Sequence, residues 1–200
     1  MTLSPVLCLA SASPRRRELL RQIGVPHCVA AAELDERLLP SESAAEHVQR
    51  LALAKARAVQ TSRRQQALVT MPVLGADTTV TIDGQVLGKP ASETDLLQMF
   101  ARLSGRTHEV FSAVALVHER EWLRLVRTEV SFRAIDPAEA RAYWASGEPR
   151  DKAGGYAIQG FGAVFVTSIV GSYSNVVGLP LAETAELLAA AGVLRWQGEA

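Results

Sequence analysis

The pair Asp83-Gly84 divides the stretch TVTIDGQVLG into two arms. It is the residue pair favoured in the two-residue turns that join antiparallel strands. A hairpin at this point rules out a purely parallel sheet. Elsewhere, strand-type and helix-type segments alternate. VLCLA (6–10) reads as a buried strand leading to a helix with Ser13 as N-cap and Pro14 at its first position. A second strand is expected over 27–32, a long amphipathic helix over 43–60 capped by Ser43, and a strand over 67–75 before the hairpin. A helix over 92–104, capped by Ser92, closes near Gly105. Two long antiparallel strands, 109–117 and 122–135, flank HERE. Asp136-Pro137 opens another helix that ends at Ser146-Gly147, a strand follows over 163–170, and a last helix over 181–191. The pattern predicts an α/β protein with a mixed, twisted sheet flanked by helices.

A chain of 200 residues makes one domain, or two small lobes, with a core that needs no staples. Its formal net charge is zero, so no overall field draws it to nucleic acid or to an anionic membrane. Cys8 and Cys28 lie in apolar runs and are expected to be reduced core residues. No basic segment followed by a long apolar run begins the sequence, and no apolar run approaches the ~20 residues of a membrane span. A cytoplasmic protein with no membrane partner is the expectation.

Arg15, Arg16 and Arg17 fill the first turn of the helix that starts at Pro14. The helix dipole is positive there, so cations are unfavourable. Two readings are open. The arginines snorkel over apolar surface, or they join the free backbone N–H groups in binding an anion such as phosphate. In the second case the small turn Ala10-Ser11-Ala12-Ser13 allows close approach, and Ser11 and Ser13 supply hydroxyls.

Lys55 is similarly out of place. It shares the apolar face of its helix with Val48, Leu51, Ala52 and Val59, so it either snorkels out or points toward a bound phosphate. Lys89, in LGKP, follows a strand and, taken alone, reads as a surface lysine at a hairpin end. Asp77 is read as standing directly after the apolar strand VLGA, either at a strand end facing a crevice or as a turn aspartate bonding its own backbone. Asp35 and Glu36 follow the strand 27–32 in a similar way. Carboxylates near phosphate-binding cations point to Mg²⁺ or Mn²⁺. There is no zinc spacing, no Walker motif, and no nucleophile–base pattern among the four scattered histidines. EPRDKAGGYAIQGFG, too apolar for a purely solvated loop, reads as a backbone-rich pocket wall in which Gln159 can meet a base edge.

LASASPRRRELL, LDE (34–36), RLALAKA (50–56), LGADTTV, LGKP, LSGRTHEVFSAVAL, EPRDKAGGYAIQG and GSYSNVVGLPL, in this order, resemble the motifs of the Maf family of nucleoside triphosphate pyrophosphatases, historically called septum formation proteins. The resemblance covers nearly the whole chain. It implies a single Maf-like domain over 1–200: an elongated mixed sheet, two lobes and a central cleft, similar to the inosine triphosphate pyrophosphatases. It also implies metal-dependent hydrolysis between the α and β phosphates. By the family pattern Ser11, Arg15, Arg16, Lys55 and Lys89 bind phosphate, Asp77 accepts the proton of the attacking water, and Glu36 is the acidic metal-site residue.

DKAGGYAIQG is similar to the subgroup that hydrolyses dTTP and UTP, and Arg15, Thr78 and Gln159 match the positions tied to pyrimidine selectivity. Ala12 and Ala157 stand where glycine is frequent. The resemblance thus implies a house-cleaning dTTP/UTP pyrophosphatase, a homodimer that uses Mg²⁺, Mn²⁺ or Co²⁺ held by Glu36 and Asp77. Its rival is a non-catalytic nucleotide-binding regulator of cell division, which the intact Glu36, Lys55, Asp77 and Lys89 set disfavours.

Overall fold

The computed structural model describes residues 4–196. Among these, seven strands form one sheet in the order β2-β1-β3-β5-β6-β7, with β4 paired to β3. The described residues divide into two compact units, one built from residues 4–77, 112–125 and 178–196, the other from 78–111 and 126–177.

In the first unit, β1 (Leu7–Leu9) lies between β2 (His27–Val29) and β3 (Val73–Ile82). Both pairings are parallel, with Cys8 opposite Cys28 and opposite Val73. Parallel strands need crossovers, and the helices α1 (Pro14–Gln22) and α2 (Ala44–Gln65) supply them. Ser43 caps α2 through a full capping box with Glu46, each satisfying a backbone N–H of the other's end. The periodic face of α2, namely Val48, Leu51, Ala52, Lys55 and Val59, is buried as its spacing requires. Cys8, Ala10, Ala56, Val59, Val73 and Val117 form a core cluster here. Cys8 and Cys28 are both free thiols, and burial, reinforced by the neighbouring Cys28, pushes the Cys8 thiol up to about 12.

Gly75 sets the distance between α2 and β3. A methyl group on it would lie 2.1 Å from the carbonyl oxygen of Ala52 and 2.9 Å from the backbone nitrogen of Ala56. Only a residue without a side chain permits this approach.

In the second unit, β3 turns at Asp83-Gly84 into β4 (Gln85–Leu87). Both turn residues have positive φ, 53° and 72°, as a type I′ turn demands. β5 (Thr107–Val117) and β6 (Glu121–Phe132) are the long strands, and β6 pairs antiparallel with β7 (Val166–Val170). α3 (Glu93–Leu103) and α4 (Pro137–Ala145) begin at Ser92 and Asp136, whose side chains accept from backbone N–H groups. Phe100, Phe132, Tyr143 and Phe165 pack edge to face, stacked or tilted, with ring centroids 5.1–6.3 Å apart. The short helix α5 (Tyr173–Val177) also belongs to this unit, and α6 (Leu181–Ala190) to the first.

Several sequence expectations need correction, among them the strands expected over 27–32 and 122–135, which end at Val29 and Phe132. Residues 67–72 are not strand. α2 runs on to Gln65, and the N–H of Leu68 closes its end on the carbonyl of Arg63. β3 starts at Val73 and continues through Asp77 to Ile82, so Asp77 stands mid-strand rather than at a strand end. Residues 161–165 are a 3₁₀ turn before β7, and α5 was not foreseen.

Candidate functional site

The parallel register explains which residues meet in the first unit. β1, β2 and β3 point the same way, and the N–H of Ala10 donates to the carbonyl of Leu74 at 2.7 Å. The chain therefore leaves β1 at Ser11, and β2 toward Glu36, on the side where β3 carries Asp77. The carboxyl ends of parallel strands are the usual place for a ligand in such sheets.

Lys55 and Asp77 are held by the close approach at Gly75. Their side chains are each 11% exposed, and Lys55 Nζ lies 2.7 Å from Asp77 Oδ1. Lys55 Nζ also lies 2.6 Å from Glu36 Oε1, whose side chain is 49% exposed. Lys55 therefore does not snorkel to solvent. It is clasped by two carboxylates, and this pairing offsets the cost of burying its charge. It also accounts for an aspartate inside a strand, a setting in which aspartate is depleted.

Arg16 is fixed beside them. Its Nε donates to the carbonyl of Gly178 at 2.8 Å and its Nη1 to Ser11 Oγ at 3.0 Å. Burial lowers the Arg16 pKa, and the charges of Asp77 and Glu36 oppose that shift while Arg15 adds to it. Ser11 Oγ also accepts from the N–H of Ser13. Ser13 is the N-cap of α1 by position, but its side chain makes no capping bond. The first helical residue, Pro14, carries no N–H, and the N–H of Arg17 donates to the carbonyl of Ser13 at 3.4 Å. Arg15 is half-buried on this turn.

Thr78, Lys89 and Gln159 belong to the second unit. Thr78 is half-buried on β3, and Lys89 and Gln159 are exposed. The carbonyl of Gly88, just before Lys89, accepts from the N–H of Gly154 at 3.0 Å, so the Lys89 turn is tied to the glycine-rich segment. Gly154 has φ 68° and its α-carbon faces Val80, so a side chain there is excluded on both counts.

The segment carrying Gln159 is pinned by Tyr143 and Glu148, which nothing in the sequence marks for this role. Tyr143 Oη donates to Glu148 Oε1 at 2.7 Å and accepts from the N–H of Ala157 at 3.2 Å. Glu148 also accepts from the N–H groups of Phe161 and Gly162. Burial raises the Glu148 pKa, but the Tyr143 hydroxyl, these two N–H groups and Lys152 outweigh it and hold the carboxyl below its ordinary value. Tyr156 is buried, with its hydroxyl 2.8 Å from Nε2 of the buried His108. Burial lowers the His108 pKa to about 4. Nothing in the local sequence signals these pairs, because their members lie 5–48 positions apart.

Glu36 and Asp77 also offer a fit for a divalent cation. Both are hard oxygen donors and converge on one nitrogen, and Mg²⁺-like ions bind one or two carboxylates and complete their shell with water and phosphate oxygens. Among the described residues there is no group of three His, Cys, Asp or Glu side chains placed to hold an ion.

The buried Lys55, the half-buried Arg16 and a pair of carboxylates together suit the binding of an anionic, phosphate-bearing ligand. The chain belongs to the Maf-like protein family, which matches residues 6–191. A dTTP/UTP pyrophosphatase of Bordetella avium is 53% identical over 194 residues, covering 94% of this chain and 96% of that protein. One of Saccharophagus degradans is 52% identical over 192 residues, covering 96% and 91%. Among solved structures, a nucleoside-triphosphatase / dITP/XTP pyrophosphatase of Mycobacterium abscessus aligns over 94% of this chain and 97% of its own, with 17% identity and a TM-score of 0.43. No helix among the described residues is long and apolar enough to cross a membrane.

Proposed function

We propose that this chain hydrolyses dTTP and UTP to the nucleoside monophosphate and pyrophosphate. One observation carries the reading: Lys55 is clasped by Glu36 and Asp77 in a chain about half identical to dTTP/UTP pyrophosphatases. In this reading Arg15, Arg16 and Ser11 bind the triphosphate at the start of α1, and Lys55 and Lys89 neutralise it further. Asp77 orients water for in-line attack on the α-phosphorus and accepts its proton. The new P–O bond forms as the α–β bridging bond breaks, and pyrophosphate departs with that electron pair. A divalent cation (Mg²⁺, Mn²⁺ or Co²⁺) held by Glu36 and Asp77 would supply neutralisation of the phosphate oxygens and a more acidic water.

Gln159, with its paired donor and acceptor, reads the carbonyl and N–H edge of uracil or thymine, and Thr78 and Arg15 contribute to the same choice. Thymine differs from uracil by a methyl group, worth about 1–3 kcal/mol at most. Both nucleotides are therefore used, and pyrimidines modified at the same carbon are admitted. The proposal keeps the homodimeric, cytoplasmic, house-cleaning setting that the family resemblance implies.

The test is pyrophosphate release from dTTP, UTP, CTP, ATP, GTP and 7-methyl-GTP with each of the three cations. Turnover of dTTP and UTP above the others is the expected result. Preference for a purine triphosphate refutes the base assignment, and no turnover of any nucleotide favours the regulator.

A further inference from the structure

Glu36 sits in a long connection, residues 30–43, that contains no helix or strand. Connections of this length without regular structure are uncommon, and the functional ones must be fixed by side chains. Two residues that no assigned role covers do the fixing. Glu42, with a side chain only 8% exposed, accepts from the N–H of Leu39 at 3.0 Å and lies 3.1 Å from His47 Nδ1. It also receives Arg50 Nε at 2.5 Å and Arg50 Nη2 at 2.8 Å, a two-pronged ion pair. The same Arg50 Nη2 donates to the carbonyl of Arg37, one residue beyond Glu36, at 3.1 Å. Arg50 stands on α2, the helix that carries Lys55. A single guanidinium thus ties the chain that follows Glu36, at Arg37 and again at Glu42, to the element that bears its partner.

We propose that Arg50 and Glu42 are positioning residues that set Glu36 against Lys55, and so control the affinity for the cation-bound triphosphate. The inference rests on the function proposed above. A lysine at position 50 would keep the charge but not the fork needed to span the Glu42 carboxylate and the Arg37 carbonyl. Arg50, the largest influence on Glu42, holds that carboxyl down to about 2, so the clamp stays charged at every pH at which a triphosphate enzyme is assayed.

The experiment compares wild type, Arg50→Ala, Arg50→Lys and Glu42→Gln, with Arg57→Ala as a control on the same helix. Arg57 pairs with Glu121 on the surface. Three quantities are read: kcat and KM for dTTP, the Mg²⁺ concentration for half-maximal rate, and amide hydrogen exchange. In the three clamp variants KM and the Mg²⁺ requirement rise by about 10-fold or more, the usual scale for losing a residue that orients a ligand-binding group. At saturation kcat falls much less, exchange quickens over residues 34–42 alone, and added guanidinium restores part of the affinity of Arg50→Ala. The control behaves as wild type.

Wild-type KM and Mg²⁺ dependence in Glu42→Gln despite faster exchange at 34–42 overturns the inference. So does a loss of kcat accompanied by faster exchange across the whole chain, which marks a general structural role. An inactive wild type refutes the proposed function instead, a separate outcome.

Discussion

Gly75→Ala tests whether the contact between α2 and β3 builds the site. Gly75 does not have the positive φ that would itself exclude a side chain, so the backbone accepts alanine and only the neighbours resist. Those neighbours are backbone atoms of α2, at 2.1 Å (Ala52 oxygen) and 2.9 Å (Ala56 nitrogen) from the added carbon. Comfortable carbon contacts begin near ~3.5 Å, so α2 must retreat by about 1 Å or more. Overpacking of this kind costs about 1–3 kcal/mol, and a wall of helix backbone puts this case at the upper end. For a chain of this size about 3 kcal/mol lowers Tm by roughly 6–12 °C.

The same retreat pulls Lys55 from its 2.7 Å contact with Asp77. A displacement of ~1 Å costs on the order of 10²-fold in rate when positioning matters. The assay is therefore paired: thermal unfolding, and kcat/KM for dTTP measured well below the lowered Tm. Both are expected to fall. Wild-type Tm together with wild-type kcat/KM refutes the reasoning. A lower Tm with undiminished kcat/KM shows that the helix position does not govern catalysis.

Two further outcomes follow from the second unit. His108 has its pKa depressed from 6.5 to about 4 by burial, so the unfolded chain takes up that proton first. Its contribution to stability is full above about pH 7 and is lost as pH falls from 6.5 toward 4, by up to about 3 kcal/mol. Denaturant unfolding at stepwise pH should show a shallower loss over that window in His108→Phe, and an unchanged slope contradicts it. Glu148→Gln weakens the hold on the segment after Gln159, so the preference for UTP over ATP in kcat/KM should narrow by about 10-fold, on the scale of other lost positioning contacts. An unchanged ratio separates Glu148 from base choice.

Much of this arrangement was legible in the sequence for local reasons. Ser43, Ser92 and Asp136 announce helix starts because their side chains bond the first free N–H groups. Asp83-Gly84 announces its hairpin because few residue pairs accept two positive φ values. Helical spacing puts Lys55 on the apolar face of α2, but it does not decide between snorkelling to solvent and pairing inside, because the carboxylates that hold it are distant in sequence. Asp77 was misplaced because an aspartate reads as the end of a strand unless its partner is known, and that partner is 22 positions away. The clamp on residues 37 and 42 was hidden for the same reason: the motif around Arg50 and Lys55 drew attention to the lysine, and spacing says nothing about a guanidinium reaching back 8 and 13 positions. Tyr156 read as pocket wall, and its hydroxyl instead meets buried His108.

The central claim is that the Lys55, Glu36 and Asp77 cluster is where a nucleoside triphosphate is cut. Its most direct test is pyrophosphate release from dTTP by wild type and by Asp77→Asn, with nucleotide binding measured alongside. The substitution nearly preserves shape but removes the proton acceptor. The account expects turnover to fall by on the order of 10²–10⁴-fold while dTTP still binds. Full activity in Asp77→Asn would contradict it.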